Sequence, residues 1–235
     1  MSDMDPAGAE HAAISDDYTE GLIGSIAGEA LRRAVMVAWM SVLLGIVIQL
    51  LLMAVRLGLG EAWPGVAIIG EFAHGVSWAM LVCIGLAVGT VAGRDRTLVM
   101  GLLGLISGPV AWGVAKGVQR TVQSATGVTP SEVDGFFYIA CAIKGVEYAV
   151  LGAALGYMSM HAVTRIRSYM LLGAAVGLAA ATAVVTLNVW RAGHGGAPLL
   201  PVRLAGTALN EFIFPVGCAL VICMALRMKR LVGLQ

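Results

Sequence analysis

Eight polar side chains interrupt otherwise apolar stretches of this chain: Glu71 and His74, Lys116, Lys144 and Glu147, Asn188, and Asn210 with Glu211. Their types carry proton, ion and hydrogen-bond chemistry. A carboxylate offers a proton site or a seat for a cation, a lysine offers counter-charge, and the amides of Asn188 and Asn210 both donate and accept. Lys144 and Glu147 stand at i,i+3, so both fall on one helix face and can pair. Lys116 is the other available cation and is read as a counter-charge for Glu211. Three uses of such a cluster compete. It is a structural network that pins helices together, or a carboxylate-lined vestibule for a small polar or cationic solute with a proton step at Glu147 or Glu211, or a meeting point with a partner subunit. His74 alone reads as a hydrogen-bonded histidine. A haem would need a second histidine at similar depth, and no cofactor or metal set is expected.

The surroundings give these charges their weight. Of 235 residues, 59% are hydrophobic and only 12% charged, with mean hydropathy +0.87. Soluble domains carry about 25% charged residues, so an ordinary soluble domain is excluded and a multi-spanning helical membrane protein remains. A charge at mid-bilayer costs at least ~2.5–3.5 kcal/mol on insertion scales, so each one needs a reason.

A bilayer core of ~30 Å takes about 20 helical residues, and the apolar runs divide into six such spans, near 34–55, 66–93, 97–116, 131–163, 168–190 and 202–226. The polar stretch 117–134 reads as largely loop, with Thr129-Pro130-Ser131-Glu132 as a capping box that starts the fourth helix near Pro130. Pro109 predicts a kink in the third. Basic residues set the orientation. With six spans, Arg32/Arg33, Arg94/Arg96, Arg165/Arg167 and Arg227/Lys229/Arg230 share one side, which makes both termini cytoplasmic. The expected fold is all-α, six transmembrane helices, in a bacterial cytoplasmic membrane. Counting ~1.5 Å per residue from those arginines puts all eight polar residues, and Gln49 with them, in the outer part of the bilayer.

A shift of 71 residues places Arg94 on Arg165, Arg96 on Arg167 and Arg120 on Arg191, so spans two-plus-three and four-plus-five read as two copies of one hairpin. In the even-numbered spans a carboxylate precedes an aromatic residue: Glu71-Phe72, Glu147-Tyr148 and Glu211-Phe212. Small residues recur every four positions, among them Gly85/Gly89/Gly93, Gly104/Gly108, Gly152/Gly156, Gly173/Gly177 and Ala30/Ala34/Ala38. Where lipid gives no hydrophobic drive, close backbone approach packs helices.

Residues 1–33 form a separate acidic segment: seven acids and no lysine or arginine occupy residues 1–30. Tyr18, Leu22, Ile26 and Ala30 share one helix face, which predicts a cytoplasmic helix from about Asp16, fused to the first span, with residues 16–38 available to a protein partner. Residues 227–235 are a basic tail. The bases are scattered in pairs at helix ends, so no nucleic-acid surface is expected. Cys83, Cys141, Cys218 and Cys223 lie in apolar runs and read as small buried hydrophobes. No hydrolase, metalloprotease, P-loop or dinucleotide motif occurs, so an enzyme is not expected. Six helices, both termini inside, an alanine ladder on the first helix and an outer polar pocket are broadly similar in architecture to the substrate-binding subunits of energy-coupling-factor vitamin transporters. That resemblance rests on no sequence motif; it implies solute binding from outside. The expected function is a small transporter, channel or solute-binding subunit. The alternative is a non-transporting assembly subunit of a larger membrane complex.

Overall fold

The computed structural model describes residues 6–90, 95–130, 135–194 and 200–231. They form six helices: α1 (Pro6–Gly58), α2 (Ala67–Gly89), α3 (Arg96–Ala125), α4 (Gly135–Met160), α5 (Ile166–Gly193) and α6 (Pro201–Leu231). There is no strand among the described residues. Every helix holds a stretch long and apolar enough to cross a bilayer, starting at Ala34 within α1 and ending at Arg227 within α6. The chain is a six-helix membrane bundle. Helices are what such a sequence must form in lipid, because they satisfy every backbone N–H and C=O within the segment. Six crossings bring the chain back to the side from which it set out.

Several boundaries differ from the sequence reading. α3 does not stop near residue 116 but continues to Ala125, so 117–125 is helix and not loop. Its polar residues are used on the helix: Thr121 donates to the Gly117 carbonyl at 3.0 Å, and Gln119 and Gln123 lie against Gly70 of α2. α3 also runs on through Pro109. The described part of α4 runs from Gly135 to Met160, ending ahead of the expected 163; the expected start near 131 and half of the proposed capping box, Ser131 and Glu132, lie outside the described residues. α2 ends at Gly89, short of residue 93. α1 is continuous from Pro6, ten residues ahead of the expected start at Asp16.

The helices meet backbone to backbone. A Cβ on Gly104 would run into the Tyr148 carbonyl oxygen, and one on Gly108 would sit 2.5 Å from the Lys144 carbonyl oxygen. From the other side, a Cβ on Gly156 would sit 2.6 Å from the Arg96 carbonyl oxygen. α3 therefore lies directly against the turn of α4 that carries Lys144, Glu147 and Tyr148. α5 meets α6 the same way, with Gly173 against Val216 and Gly177 against the Phe212 backbone. The hairpins aligned by the 71-residue shift do not pack alike. α2 lies closely along α3, whereas α4 touches α5 only lightly and takes α3 as its main neighbour. α6 touches α1, α2, α4 and α5.

Buried stripes follow helical spacing: Trp78, Val82 and Leu86 on α2, Tyr148, Leu151 and Leu155 on α4, Phe214, Cys218 and Ile222 on α6. These faces converge, and the charged centre sits at one end of their core.

Candidate functional site

Lys144, Glu147 and Glu211 form one centre. Lys144 Nζ donates to Glu147 Oε2 at 2.8 Å along α4 and to Glu211 Oε2 across from α6. All three residues are at most 5% exposed. Lys144 lies nine residues beyond the start of α4 and Glu211 ten beyond the start of α6. At ~1.5 Å per residue both stand about 15 Å from their helix ends, which is why the two carboxylates reach the same ammonium. The i,i+3 pair was legible from spacing. The partner of Glu211 is Lys144, however, and not Lys116 as the sequence reading had it.

Aromatic rings enclose the ammonium. Lys144 Nζ is 5.3 Å from the Trp78 ring centroid, 5.9 Å from Trp112 and 5.9 Å from Tyr148. Such distances allow cation–π attraction, which grows when water is excluded. Trp78 packs edge-to-face on Trp112, Tyr148 and Phe214, locking the box from α2, α3, α4 and α6. Nothing in the sequence reading singled out Trp78 or Trp112. A tryptophan in the body of a span, away from the interfacial belts where tryptophan is enriched, would have been the clue. So would the four-residue steps His74 to Trp78, Trp112 to Lys116 and Lys144 to Tyr148.

The centre is not fully satisfied. Glu147 Oε1 has no hydrogen-bond partner, and neither do the Tyr148 hydroxyl, Trp112 Nε1, His74 Nδ1 and Asn210 Oδ1. An unpartnered buried polar atom costs ~1–3 kcal/mol, and here several cluster at one place. The charges are also unequal, with two carboxylates set against one ammonium.

The other predicted site residues scatter. His74 meets the wall of the centre through its edge-on contact with Trp112, at 5.3 Å. Lys116 stacks over the same Trp112 at 5.2 Å and donates to Gln119 at 3.0 Å. Asn210 neighbours Glu211 on α6. Glu71 pairs away from the Lys144 centre: Arg56 of α1 donates to it at 2.7 Å and grips Glu61 in the α1–α2 loop with two further bonds, at 2.6 and 2.7 Å. The hydrogen-bonded guanidinium holds the Glu61 carboxyl below the usual carboxylate range. Arg56 thus clamps the α1–α2 turn, a role the sequence reading did not assign. Asn188 spends its amide on its own helix, donating to Val184 O at 2.8 Å. The shared carboxylate–aromatic pattern also divides, since Tyr148 is fully buried while Phe212 is 36% exposed. Gln49 is buried and packs against Gly75.

Beside the centre, Cys83 and Cys218 bring their sulfurs to 3.3 Å as free thiols. Among the described residues, no three of His, Cys, Asp and Glu come together as a metal site. Comparison with known protein families, with curated proteins and with solved structures finds no match to this chain.

Proposed function

We propose that the chain is a small membrane carrier or solute-binding protein that holds one positive charge, a proton or a cationic solute, at Lys144–Glu147–Glu211. The observation that carries this reading is the charge inequality in a buried place. With one ammonium for two carboxylates, a unit of negative charge is left without a counter-ion among the groups that pair there, and an isolated buried charge is too costly to persist. A proton on one carboxyl or an arriving cation meets that need, and Glu147 Oε1 is an oxygen with capacity to accept it. A purely structural network would pair its charges off. The aromatic walls serve both tasks: they fix the ammonium and keep water from screening it. Positive-inside counting sets Arg96, Arg165 and Arg167 on the cytoplasmic side, of a bacterial inner membrane in this reading, with the Arg56–Glu61 clamp outside. The site is one of binding and transfer, with no catalytic step.

The test is flux in proteoliposomes under an imposed pH gradient, read by an internal pH dye while small and hydrophobic cations are offered in turn. Wild-type protein should exchange protons for a cation, and Glu147→Gln and Glu211→Gln, which keep shape and remove charge, should abolish the exchange. Variants as active as wild type would overturn the reading.

A second reading, the assembly subunit, draws on α1. Its 53 residues extend about 80 Å, far beyond a ~30 Å bilayer core, and a helix that leaves the membrane needs something to lie on. Residues 16–38 are the surface for a protein partner in that case. Co-purification in mild detergent separates the two: loss of a stoichiometric partner on removing residues 1–26 favours assembly, and a lone monodisperse species with flux favours the carrier.

A further inference from the structure

Between α4 and α5 runs a lipid-facing groove of about 590 Å³, walled by Ile143, Val146 and Val150 on one side and by Ala175, Ala179 and Ala183 on the other, with Glu147 as its polar lining residue. It exists because the two helices make their close contacts elsewhere. Gly145, Gly152 and Gly156 of α4 face α3, Gly173 and Gly177 of α5 face α6, and no glycine of either helix brings α4 and α5 together. The three alanines stand at four-residue steps and leave the wall shallow. Apart from Glu147 the lining is wholly apolar, while that residue's Oε2 is held by Lys144 and its Oε1 is unpartnered.

Resting on the reading of the centre given above, we propose that this groove is a binding site for a hydrophobic monovalent ammonium ion that reaches Glu147 from the lipid. An acyl chain alone would fill the groove and leave the carboxylate oxygen unmet. A hydrophilic cation would meet the oxygen and leave the groove to lipid. A molecule with an apolar body and one N–H-bearing positive charge does both, and its single charge equals the deficit at the centre. Its arrival releases the proton that otherwise neutralises the carboxyl pair, which makes binding and proton release one event.

Carbodiimides read both access and protonation. Dicyclohexylcarbodiimide adds to a protonated carboxyl: the acid proton moves to a carbodiimide nitrogen, the carboxyl oxygen bonds the central carbon, and rearrangement leaves a stable N-acylurea with no leaving group. In proteoliposomes, peptide mass spectrometry should find this lipid-soluble reagent on Glu147 in preference to Glu211, with a water-soluble carbodiimide far weaker at both. Octylammonium should protect Glu147 saturably, and octanol and ethylammonium at the same concentration should not. Ala179→Trp fills the groove and should remove both labelling and protection; Ala175→Leu, a milder change, should reduce both, with the native thiols still shielded in each protein as proof of folding. Stronger labelling by the water-soluble reagent, protection by octanol as good as by octylammonium, or unchanged protection in the filled-groove variants would each overturn the proposal. The first would mean approach from water, the second an acyl-chain groove only. If instead proton exchange survives Glu147→Gln, it is the reading of the centre that falls, whatever the labelling pattern.

Discussion

Lys144→Met is the perturbation that reports most directly on the centre. The ammonium touches both buried carboxylates, so its removal leaves a carboxylate, beside its protonated neighbour, without a cation in a dry site. Breaking a buried pair by deleting one partner costs about 3–5 kcal/mol. For a chain of this length about 2–4 °C of midpoint accompanies each kcal/mol, so unfolding should fall by roughly 6–20 °C. The carboxylates behave differently. Glu147→Gln or Glu211→Gln removes the surplus negative charge and leaves a balanced pair, so each single variant should stay within about 1 kcal/mol of wild type. Combining Lys144→Met with both glutamine changes should recover most of the loss, because a neutral core of similar shape replaces the ions. Acid should narrow the Lys144→Met deficit, since protons then do the work of the missing ammonium. The assay is thermal unfolding of purified protein in mild detergent, followed with a thiol-reactive dye that becomes fluorescent when Cys83 and Cys218, both fully buried, are exposed. Lys144→Met unfolding with wild-type protein, or Glu147→Gln proving as damaging as Lys144→Met, would refute the charge argument.

Three further outcomes are expected. Gly104→Ala, whose Cβ meets the Tyr148 carbonyl, should lower stability by about 1–3 kcal/mol by overpacking α3 on α4, whereas Gly117→Ala, open on all sides, should be neutral or stabilising by up to about 1 kcal/mol; equal effects on the unfolding midpoint would refute the packing. Because Arg56 holds the Glu61 carboxyl below its ordinary range, the stabilisation from that bond is present above the unfolded-state value of about 4.3 and is lost as pH falls through the lower folded value. Wild type should therefore exceed Glu61→Gln in midpoint by a constant amount between about pH 6 and 8, and the two should converge in acid; a difference that grows in acid would contradict the clamp. In a background without the native cysteines, single cysteines at Gly127 should react with an impermeant reagent from outside and those at Asp95 and Ile166 from inside, and Asp95 and Ile166 labelling from opposite faces would break the six-span order.

Composition and run length were enough to read six spans, because a bilayer imposes one length and one polarity on whatever crosses it. The pair Lys144–Glu147 was legible for a similar reason: a three-residue step on a helix is a fixed geometry. So was the list of polar residues needing an explanation, since charge inside an apolar run stands out whatever the fold. What the linear pattern could not decide was which of those charges share a site. Glu71 and Glu211 look alike in sequence, each in an even-numbered span and each before a phenylalanine, yet one is held by Arg56 near the α1–α2 loop and the other by Lys144 in the core. That division depends on how far each helix is rotated and which neighbour it meets. Rotation is settled by the glycine faces that set α3 on α4 and α5 on α6, and a glycine every four residues advertises a close contact without naming its partner. The same packing leaves the seam between α4 and α5 loose, although the two are joined by only a short connection. The aromatic box was hidden likewise, because Trp78, Trp112 and Tyr148 come from three helices, and rings that converge on one ammonium across that distance in the chain are brought together by the tertiary contacts of the bundle alone.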